Sequence, residues 1–272
     1  MLGIKLGLGV NSIVRLHISE LQALITSLFG NGEQGAFYIP RPVVNGAQAL
    51  FQDAAGTVPV TEDGDPDGSM ADQSPNGHTA VQPTSAARPT YKTDGTLHRL
   101  DADGTDDSMI LPTALIPSGG ALRLTSFAIS TTDALFKKVV SFGSNIVDRA
   151  WRIGVHSSGA IMVEVSGGES VIGTTLVNDG VSHVVTVYTT GSNLSTTVIR
   201  VDGGVDAISS PGSAELNTNS SGTARLFSRE TDTAYLTGGF YGMVHLLPSQ
   251  VISDSKMDDI ESYLASLAGV TL

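Results

Sequence analysis

One stretch, residues 179–203, constrains the fold more than any other part of the sequence. It holds two runs rich in β-branched residues, at 183–188 and 196–201. An Asp-Gly pair precedes the first run, another follows the second, and a cluster of Thr, Gly, Ser and Asn residues separates the two. Two runs of strand length with turn-forming residues between them predict an antiparallel hairpin with a loop of several residues.

Further runs of strand length lie on both sides of this hairpin. From residue 97 onward they recur at fairly regular spacing with turn signals between them, which is typical of a β-sandwich. In one of them Trp151, Ile153 and Val155 would face the core while Arg152 would lie outside, and residues 161–165 alternate in the same way. Such alternation predicts antiparallel sheets with one covered face. The other predicted strands are 97–100, 108–111, 122–130, 139–142, 175–177, 224–227 and 239–247.

The composition fits an all-β chain and excludes several classes of function. Charged residues are only 15% of the 272, while glycine is frequent at 31 residues, as expected for many turns and few helices. The net charge of −12 argues against a nucleic-acid or membrane partner, because binding to phosphate-rich surfaces depends on Lys and Arg. Since the sequence has no cysteine, disulfides and thiolate metal sites are excluded.

Two helices are predicted, one near each end of the chain. The first is expected at residues 19–29, because Ser19 and Gln22 have capping-box spacing and Gly30 can end a helix. Its apolar stripe consists of Leu21, Leu24, Ile25 and Leu28. The second is expected between an N-cap at Ser253 and a C-cap at Gly269. Its apolar stripe consists of Met257, Ile260, Leu264 and Leu267.

The N-terminal segment suggests a division of the chain. Residues 1–17 are apolar and interrupted by glycines, which leaves two interpretations open: a flexible leader, or an arm that orders against a partner. They lack the basic start and the cleavage site of a signal peptide. We predict that residues 1–31 form an arm and an amphipathic helix for attachment and oligomerisation through the stripe of the first helix. Residues 32–272 would form the β-sandwich domain.

One acidic segment resembles part of a calcium site. Asp63, Asp65, Asp67 and Gly68 copy the start of an EF-hand loop, but Ser74 stands where that loop needs its bidentate Glu. The neighbouring sequence also gives no sign of flanking helices. A solvated acidic turn is therefore predicted here in preference to a calcium site.

Several motifs together resemble a known family of domains. The pattern formed by residues 179–180, 183–188 and 201–203 is similar to the central signature of concanavalin A-like, laminin G-like jelly-roll domains, although Ser182 replaces the usual aromatic residue. The rest of the chain resembles a narrower group, the lectin-like domains in structural proteins of tailed bacteriophages and prophage-derived particles. The group usually has Tyr-Asp-Pro where this chain has Tyr38-Ile39-Pro40. The matching stretches are 32–38, 50–57, 59–66, 72–80, 86–91, 100–107, 239–242 and 253–269.

The resemblance implies a fold and a role. The fold would be all-β, an antiparallel jelly-roll sandwich with a short N-terminal and a C-terminal helix. The role would be that of a virion structural protein displayed as a spike, fibre or tail appendage, which assembles with other virion proteins and with itself and contacts host-surface polysaccharide. The protein would lie at the particle surface after synthesis in the bacterial cytoplasm. The alternative is a decoration protein with a purely structural role.

The sequence does not indicate an enzyme. A retaining glycosidase needs two carboxyl groups about 5 to 5.5 Å apart, yet Glu164 stands alone on its predicted strand and Glu169 lies in a turn. No nucleophile elbow is present, and the six histidines lack close metal-ligand spacing. His183 is interpreted as a strand residue with satisfied hydrogen bonds. No cofactor is expected, apart from a Ca²⁺ ion if the acidic residues described next bind a cation.

Candidate ligand-binding residues lie in two loops and one strand. Tyr235 with Asp232 offers an aromatic face beside a carboxylate, which suits the apolar faces and hydroxyls of a sugar. Trp151 is a second aromatic candidate, although its alternation favours the core. Asp103, Asp106 and Asp107 either hold a cation or sugar hydroxyls, or only cap a turn between strands.

Overall fold

The protein is an antiparallel β-sandwich with two helices, as expected from the sequence. A computed structural model describes the backbone of residues 10–272 and the side chains of residues 20–272. The predicted arm falls partly on residues 1–9, which lie outside the described residues. Within the described part, no helix is long and apolar enough to cross a membrane.

Eight of the described strands form the first sheet. Its longest strand, residues 237–247, pairs on one side with the strand at 124–130 and on the other with the strands at 98–103 and 34–38. The strands of this sheet are β1 (Gln34–Tyr38), β7 (Thr90–Thr93), β8 (His98–Asp103), β10 (Leu124–Ser130), β15 (Ser182–Thr189), β16 (Thr197–Val201), β17 (Gly204–Val205) and β19 (Thr237–Leu247).

Nine of the described strands form the second sheet, which packs face to face with the first. They are β4 (Leu50–Phe51), β5 (Ser69–Met70), β6 (Ala80–Val81), β9 (Met109–Leu111), β11 (Lys137–Gly143), β12 (Ala150–Val155), β13 (Ala160–Glu164), β14 (Ser170–Leu176) and β18 (Thr223–Leu226). A separate small hairpin pairs β2 (Val43–Val44) with β3 (Ala47–Gln48). Short 3₁₀ turns lie at Ser85–Ala87, Thr113–Leu115 and Leu194–Thr196.

The predicted hairpin is confirmed and lies within the first sheet. β15 and β16 pair antiparallel, with Val185 opposite Val201 and Thr189 opposite Thr197. The Asp202-Gly203 pair forms the next turn, into β17, and both residues have positive φ, at 49° and 81°. Asp-Gly is favoured there because a two-residue hairpin turn of this kind needs two left-handed residues.

The alternation predicted for the second sheet is also confirmed. Trp151, Ile153 and Val155 are fully buried in the core between the sheets, and so are Ile161 and Val163. Because successive side chains of a strand point to opposite faces, the residues between them lie on the outer face.

This outer face holds a buried group of charges. Arg152 is only 1% exposed, although the sequence placed it outside. Its guanidinium binds Glu230 twice, with 2.8 Å from Nε to Oε2, and donates to Glu164 over 3.2 Å. Glu164 also pairs with Lys138, over 3.2 Å. Arg152 is thus outside the main core but shielded from solvent, and Glu164 is not isolated.

The C-terminal helix α2 (Asp254–Ala268) forms as predicted. Ser253 caps it by accepting a hydrogen bond from the Lys256 amide, and Gly269 ends it with a φ of 69°. The predicted apolar stripe is buried against the outer face of the first sheet. Arg200 of β16 ties α2 to the sheet through a bidentate pair with Glu261, with bonds of 2.8 and 2.9 Å.

The N-terminal helix α1 (Val10–Phe29) is longer than predicted. Its start at Val10 means that Ser19 is not the N-cap, so the capping-box interpretation is wrong. The helix therefore extends back into the segment, residues 1–17, that was interpreted as a leader or an arm.

The predicted attachment surface of α1 faces the protein's own sandwich. Leu21, Leu24, Ile25 and Leu28 are between 2% and 8% exposed and share an apolar cluster with Phe37 and with α2. The stripe is therefore not the exposed attachment surface that was predicted, because its apolar surface is already covered within the chain, and oligomerisation itself stays a prediction. Within residues 1–31, the attachment role predicted for the part before Glu20 stays a prediction.

The EF-hand-like segment is not a fully solvated turn. Asp63 and Asp65 do accept hydrogen bonds from nearby backbone amides at its surface. Asp67, however, is fully buried, and neither of its carboxylate oxygens has a hydrogen-bond partner. The expectation of a solvated turn therefore fails at Asp67.

Candidate functional site

Five loops meet at one end of the sandwich, and we call this end the rim. The loop before β19 touches the start of β11, where the Lys138 amide donates to the Ala234 carbonyl over 3.0 Å. The loop after β10 touches the loop before β15, where the Gly180 amide donates to the Thr131 carbonyl over 3.0 Å. The rim consists of residues 103–108, 131–136, 156–159, 177–181 and 227–236.

The predicted Tyr235 and Asp232 pair forms a compact turn in the rim. The Tyr235 hydroxyl donates to the Asp232 carbonyl over 2.7 Å, while part of its ring remains exposed. Burial, followed by the carboxylate of Asp232, raises the pKa of Tyr235. Asp232 and Ala234 both have positive φ, at 59° and 56°, a conformation that costs an alanine on the order of 1 kcal/mol. Strained residues of this kind cluster at functional sites.

The predicted acidic cluster lies in the turn after β8. One carboxylate oxygen from each of Asp103, Asp106 and Asp107 lies within 4.8 Å of the others. Burial and the nearby carboxylates of Asp103 and Asp106 raise the pKa of Asp107 to about 7, against the lowering effect of a hydrogen bond from the Asp103 amide. A hard cation such as Ca²⁺ accepts oxygen ligands of this type. However, the Asp103 and Asp107 carboxylates also hold the turn together, so cation binding remains a prediction.

Arg225 joins these two predicted sites. Its Nη1 lies 3.0 Å from Asp232 Oδ1 and 3.3 Å from Ser108 Oγ, and Ser108 follows directly after the acidic turn. Sequence reasoning missed Arg225, although its position between buried Ala224 and Leu226 indicated an outward-facing side chain. The structure therefore brings Tyr235 and Asp232 next to the acidic turn, although they lie more than 120 positions later in the sequence.

Trp151 is not part of this site. Its side chain is fully buried between the sheets, and the Arg123 guanidinium lies 5.0 Å from the centre of its ring. A sugar cannot reach a ring that packs inside the core. The choice of Trp151 as a glycan-binding residue is therefore wrong, and its alternation along β12 was the better guide.

Exposed apolar side chains lie in the rim and directly beside it. Leu135 is 71% exposed and Phe136 48% exposed, and the Phe136 ring packs edge-to-face on His156 with 5.0 Å between centroids. Leu176 and Val181 are also more than half exposed. Apolar and aromatic surface of this kind can pack against the apolar faces of sugar rings.

A polar groove of about 440 Å³ opens on the outer face of the first sheet, next to the rim. Gly239 forms part of its floor, where a β-carbon would come within 2.7 Å of the Arg99 side chain. The Thr131 hydroxyl donates to the Thr237 carbonyl over 2.7 Å and closes one wall. The side chains that line the groove include Arg99, Asp101, Ser130, Thr132, Thr237 and Tyr241.

The structure leaves no accessible pair of carboxylates at Glu164 and Glu230. Both bind the same guanidinium, that of Arg152, and the Glu230 side chain is 1% exposed. A substrate therefore cannot reach both carboxylates, because Glu230 is sealed, although Glu164 is 15% exposed. Their role is to neutralise buried cations.

Comparison with known proteins gives structural matches only. No family model and no curated protein matches the sequence. Solved structures do match. One is the binding domain of paraclostridial mosquitocidal protein 1, with a TM-score of 0.53 and 12% identity over 71% of this chain. A second is the binding domain of botulinum neurotoxin serotype D, with a TM-score of 0.52 and 9% identity over 88% of this chain. Another match is Trypanosoma rangeli sialidase in complex with 2,3-difluorosialic acid, with a TM-score of 0.53 and 9% identity over 97% of this chain.

The fold shared with these structures is a β-sandwich. This chain spans 49%, 52% and 40% of the length of those three structures, respectively. At identities of 12% or less, the similarity shows the fold alone and does not extend to catalysis.

Proposed function

We propose that this chain is a non-catalytic, lectin-like protein that binds host-surface polysaccharide through its rim. One observation carries the proposal: the Tyr235 loop, the acidic turn and the polar groove lie together at one end of the sandwich. Carboxylates, hydroxyls and a partly exposed aromatic ring are the groups that recognise the hydroxyls and apolar faces of a sugar. The binding domains among the structural matches support a binding role for this fold.

The proposed location is the surface of a phage-like particle, in a spike, fibre or tail appendage. This part of the proposal rests on the sequence resemblance, which covers much of residues 32–107 and the closing strand and helix. Other virion proteins and further copies of this chain are the proposed partners. Because the stripe of α1 is buried, such assembly would use a different surface.

Binding of the purified protein to extracted host-envelope polysaccharide tests the proposal. Calorimetry should detect binding, and Tyr235→Ala should weaken it about tenfold, or about 1.4 kcal/mol. Tyr235→Phe is the matched control, because it keeps the ring and loses only the hydroxyl bond to Asp232. Far-ultraviolet circular dichroism should show that both variants are folded.

Failure to bind any host-surface material would overturn the binding role. Electron microscopy of particles with labelled protein then tests the second candidate, a decoration protein that only stabilises the particle. Label at the particle surface together with no saccharide binding would favour decoration. Absence of label from particles would overturn the virion assignment.

A further inference from the structure

The groove beside the rim contains one guanidinium, that of Arg99, among its lining residues. Asp101 binds this group twice, with 2.6 Å from Nε to Oδ1 and 3.2 Å from Nη2 to Oδ2. Arg99 and Asp101 are each about a third exposed, at 32% and 35% of their side chains. A planar guanidinium recognises a carboxylate through such a paired contact. The groove's strongest anion-binding group is thus already occupied by an internal carboxylate.

Further carboxylates surround the groove. Asp103 follows Asp101 by two residues on β8 and pairs with Thr237, which lines the groove. Asp133 accepts a hydrogen bond from the amide of Thr237, which lines the groove. Two further guanidinium groups lie near the rim but outside the groove, and both have carboxylate neighbours: Arg225 is 3.0 Å from Asp232 and Arg229 is 3.9 Å from Glu164. Two like charges 4 Å apart repel by about 1 kcal/mol even in water, so this surface disfavours a negatively charged ligand.

The groups that remain available in the groove suit a different ligand. The hydroxyls of Ser130 and Thr132 can donate or accept hydrogen bonds, and the outer edges of the Asp101 carboxylate can accept them. The several hydroxyls of a saccharide can donate hydrogen bonds to these groups and accept hydrogen bonds from them. An amino group on a sugar would in addition be attracted by the surrounding carboxylates.

From this charge arrangement we infer that the groove selects uncharged or amino-bearing saccharides and rejects acidic ones such as sialic acids. The inference rests on the proposed saccharide binding and specifies its ligand class. It is independent of the similarity to the sialidase, which concerns the fold. The sialidase structure holds a sialic acid derivative, whereas the charges here favour the opposite preference.

A glycan array with matched pairs tests the inference. Each pair consists of the same oligosaccharide with and without a terminal sialic acid, and oligomers of glucosamine supply the amino-bearing class. We expect the neutral member of each bound pair, or the glucosamine oligomer, to give at least tenfold more signal than the sialylated member. Stronger binding to sialylated members would overturn the inference and leave the proposed function standing. No binding to the array or to host polysaccharide would overturn the proposed function, and this inference with it.

Two variants connect the preference to the groove. Asp101→Asn frees Arg99 and removes one carboxylate, so it should raise the ratio of sialylated to neutral signal several-fold. Asp94→Asn makes the same charge change in the exposed turn at the other end of β8 and should leave the ratio unchanged. An unchanged ratio in Asp101→Asn, or the same rise in both variants, contradicts the inference.

A neutral blocking variant tests the location. Thr132 is exposed and lines the groove, so Thr132→Gln places a larger uncharged side chain in it and should weaken saccharide binding about tenfold. Thr113→Gln makes the same change at an exposed position outside the groove. Equal affinity of the two variants would show that the saccharide binds elsewhere and would overturn the inference.

Discussion

His183 Nδ1 lies 2.7 Å from the carboxylate of Asp202, across the two strands of the β15–β16 hairpin. Its other ring nitrogen, Nε2, lies 3.1 Å from Asp179 Oδ1. The imidazole therefore joins the Asp-Gly turn before β15 to the Asp-Gly turn after β16. Burial lowers the pKa of His183, but the hydrogen bonds and charges of Asp202 and Asp179 outweigh it, so that the pKa is raised.

This contact predicts that the stability contributed by His183 to the hairpin depends on pH. The folded protein holds the His183 proton to a higher pH than the unfolded chain, whose histidine pKa is about 6.5. The contribution to stability is therefore complete below about pH 6.5 and is lost as the pH rises through the raised folded-state pKa. Urea unfolding between pH 5.5 and 8.5 should show this decline. Asp202→Asn should weaken the decline, because it removes a charge but keeps an oxygen for the Val184 amide.

The control for this prediction is Asp94→Asn. Asp94 also caps a turn by accepting backbone hydrogen bonds, from the amides of Thr96 and Leu97. Those bonds lower the pKa of Asp94, so its loss should affect stability in the acid range and leave the decline above pH 6.5 intact. A decline of the same size in the parent and in Asp202→Asn would contradict the role of the pair.

A second prediction concerns the stripe of α1. Leu28 is 2% exposed in the apolar cluster between α1, α2 and the first sheet. Leu28→Ala should therefore lower the free energy of unfolding by about 2–5 kcal/mol, while the association state measured by light scattering stays the same. Gln22→Ala, on the exposed face of the same helix, should have little effect on either quantity. A change in association without loss of stability would restore the stripe as an attachment surface.

The sequence was sufficient for the features that depend on neighbouring residues. The β15–β16 hairpin, the alternation around Trp151 and both caps of α2 follow from local periodicity and turn chemistry, which act over a few residues. The start of α1 was misplaced because Ser19 and Gln22 have capping-box spacing inside a helix that continues past them. Ser and Gln also occur in helix interiors, so capping-box spacing alone does not mark the start of a helix.

The candidate site required information that local patterns do not contain. Tyr235, Asp232 and the acidic turn were each found from their chemistry, but their proximity depends on β8 pairing with β19. Arg225 and the polar groove depend on contacts between distant strands. Glu230 is a similar case, since an acidic residue in a loop gives no sign that it will neutralise a buried arginine on β12.

A third prediction concerns Asp67. Burial raises the pKa of its carboxyl group to about 8, whereas an unfolded Asp has a pKa of about 3.9. Between these values the folded protein keeps a proton that the unfolded chain has lost, so stability should fall by about 1.4 kcal/mol per pH unit as the pH rises. Asp67→Asn removes the titrating group at nearly constant shape. It should flatten this slope and be more stable than the parent at pH 8.

The matched control is Asp63→Asn in the same segment. Asp63 accepts a hydrogen bond from the Thr93 amide over 2.8 Å, which lowers its pKa. Its replacement should leave the slope between pH 5 and pH 8 as in the parent. Denaturant titrations at pH 5, 6.5 and 8 measure all three proteins, and a parent slope that persists in Asp67→Asn would show that other groups cause it.

The fourth prediction concerns the buried ion pair between Glu230 and Arg152, whose side chains are each 1% exposed. Glu230→Gln leaves the guanidinium with only the shared carboxylate of Glu164. Because an uncompensated buried charge is costly, unfolding free energy should fall by about 3 kcal/mol. Glu215→Gln, at an exposed position, removes the same charge and should change little.

A double variant separates charge compensation from packing. Arg152→Met combined with Glu230→Leu removes both members of the pair and fills their space with apolar atoms, so it should recover much of the stability lost in Glu230→Gln. Glu164 keeps Lys138 as its partner in this variant. If the double variant is less stable than Glu230→Gln, the bonds from Arg152 to Ser166 and Asn145 matter more than the charge of Glu230, and the ion pair is not the main stabilising element of this face.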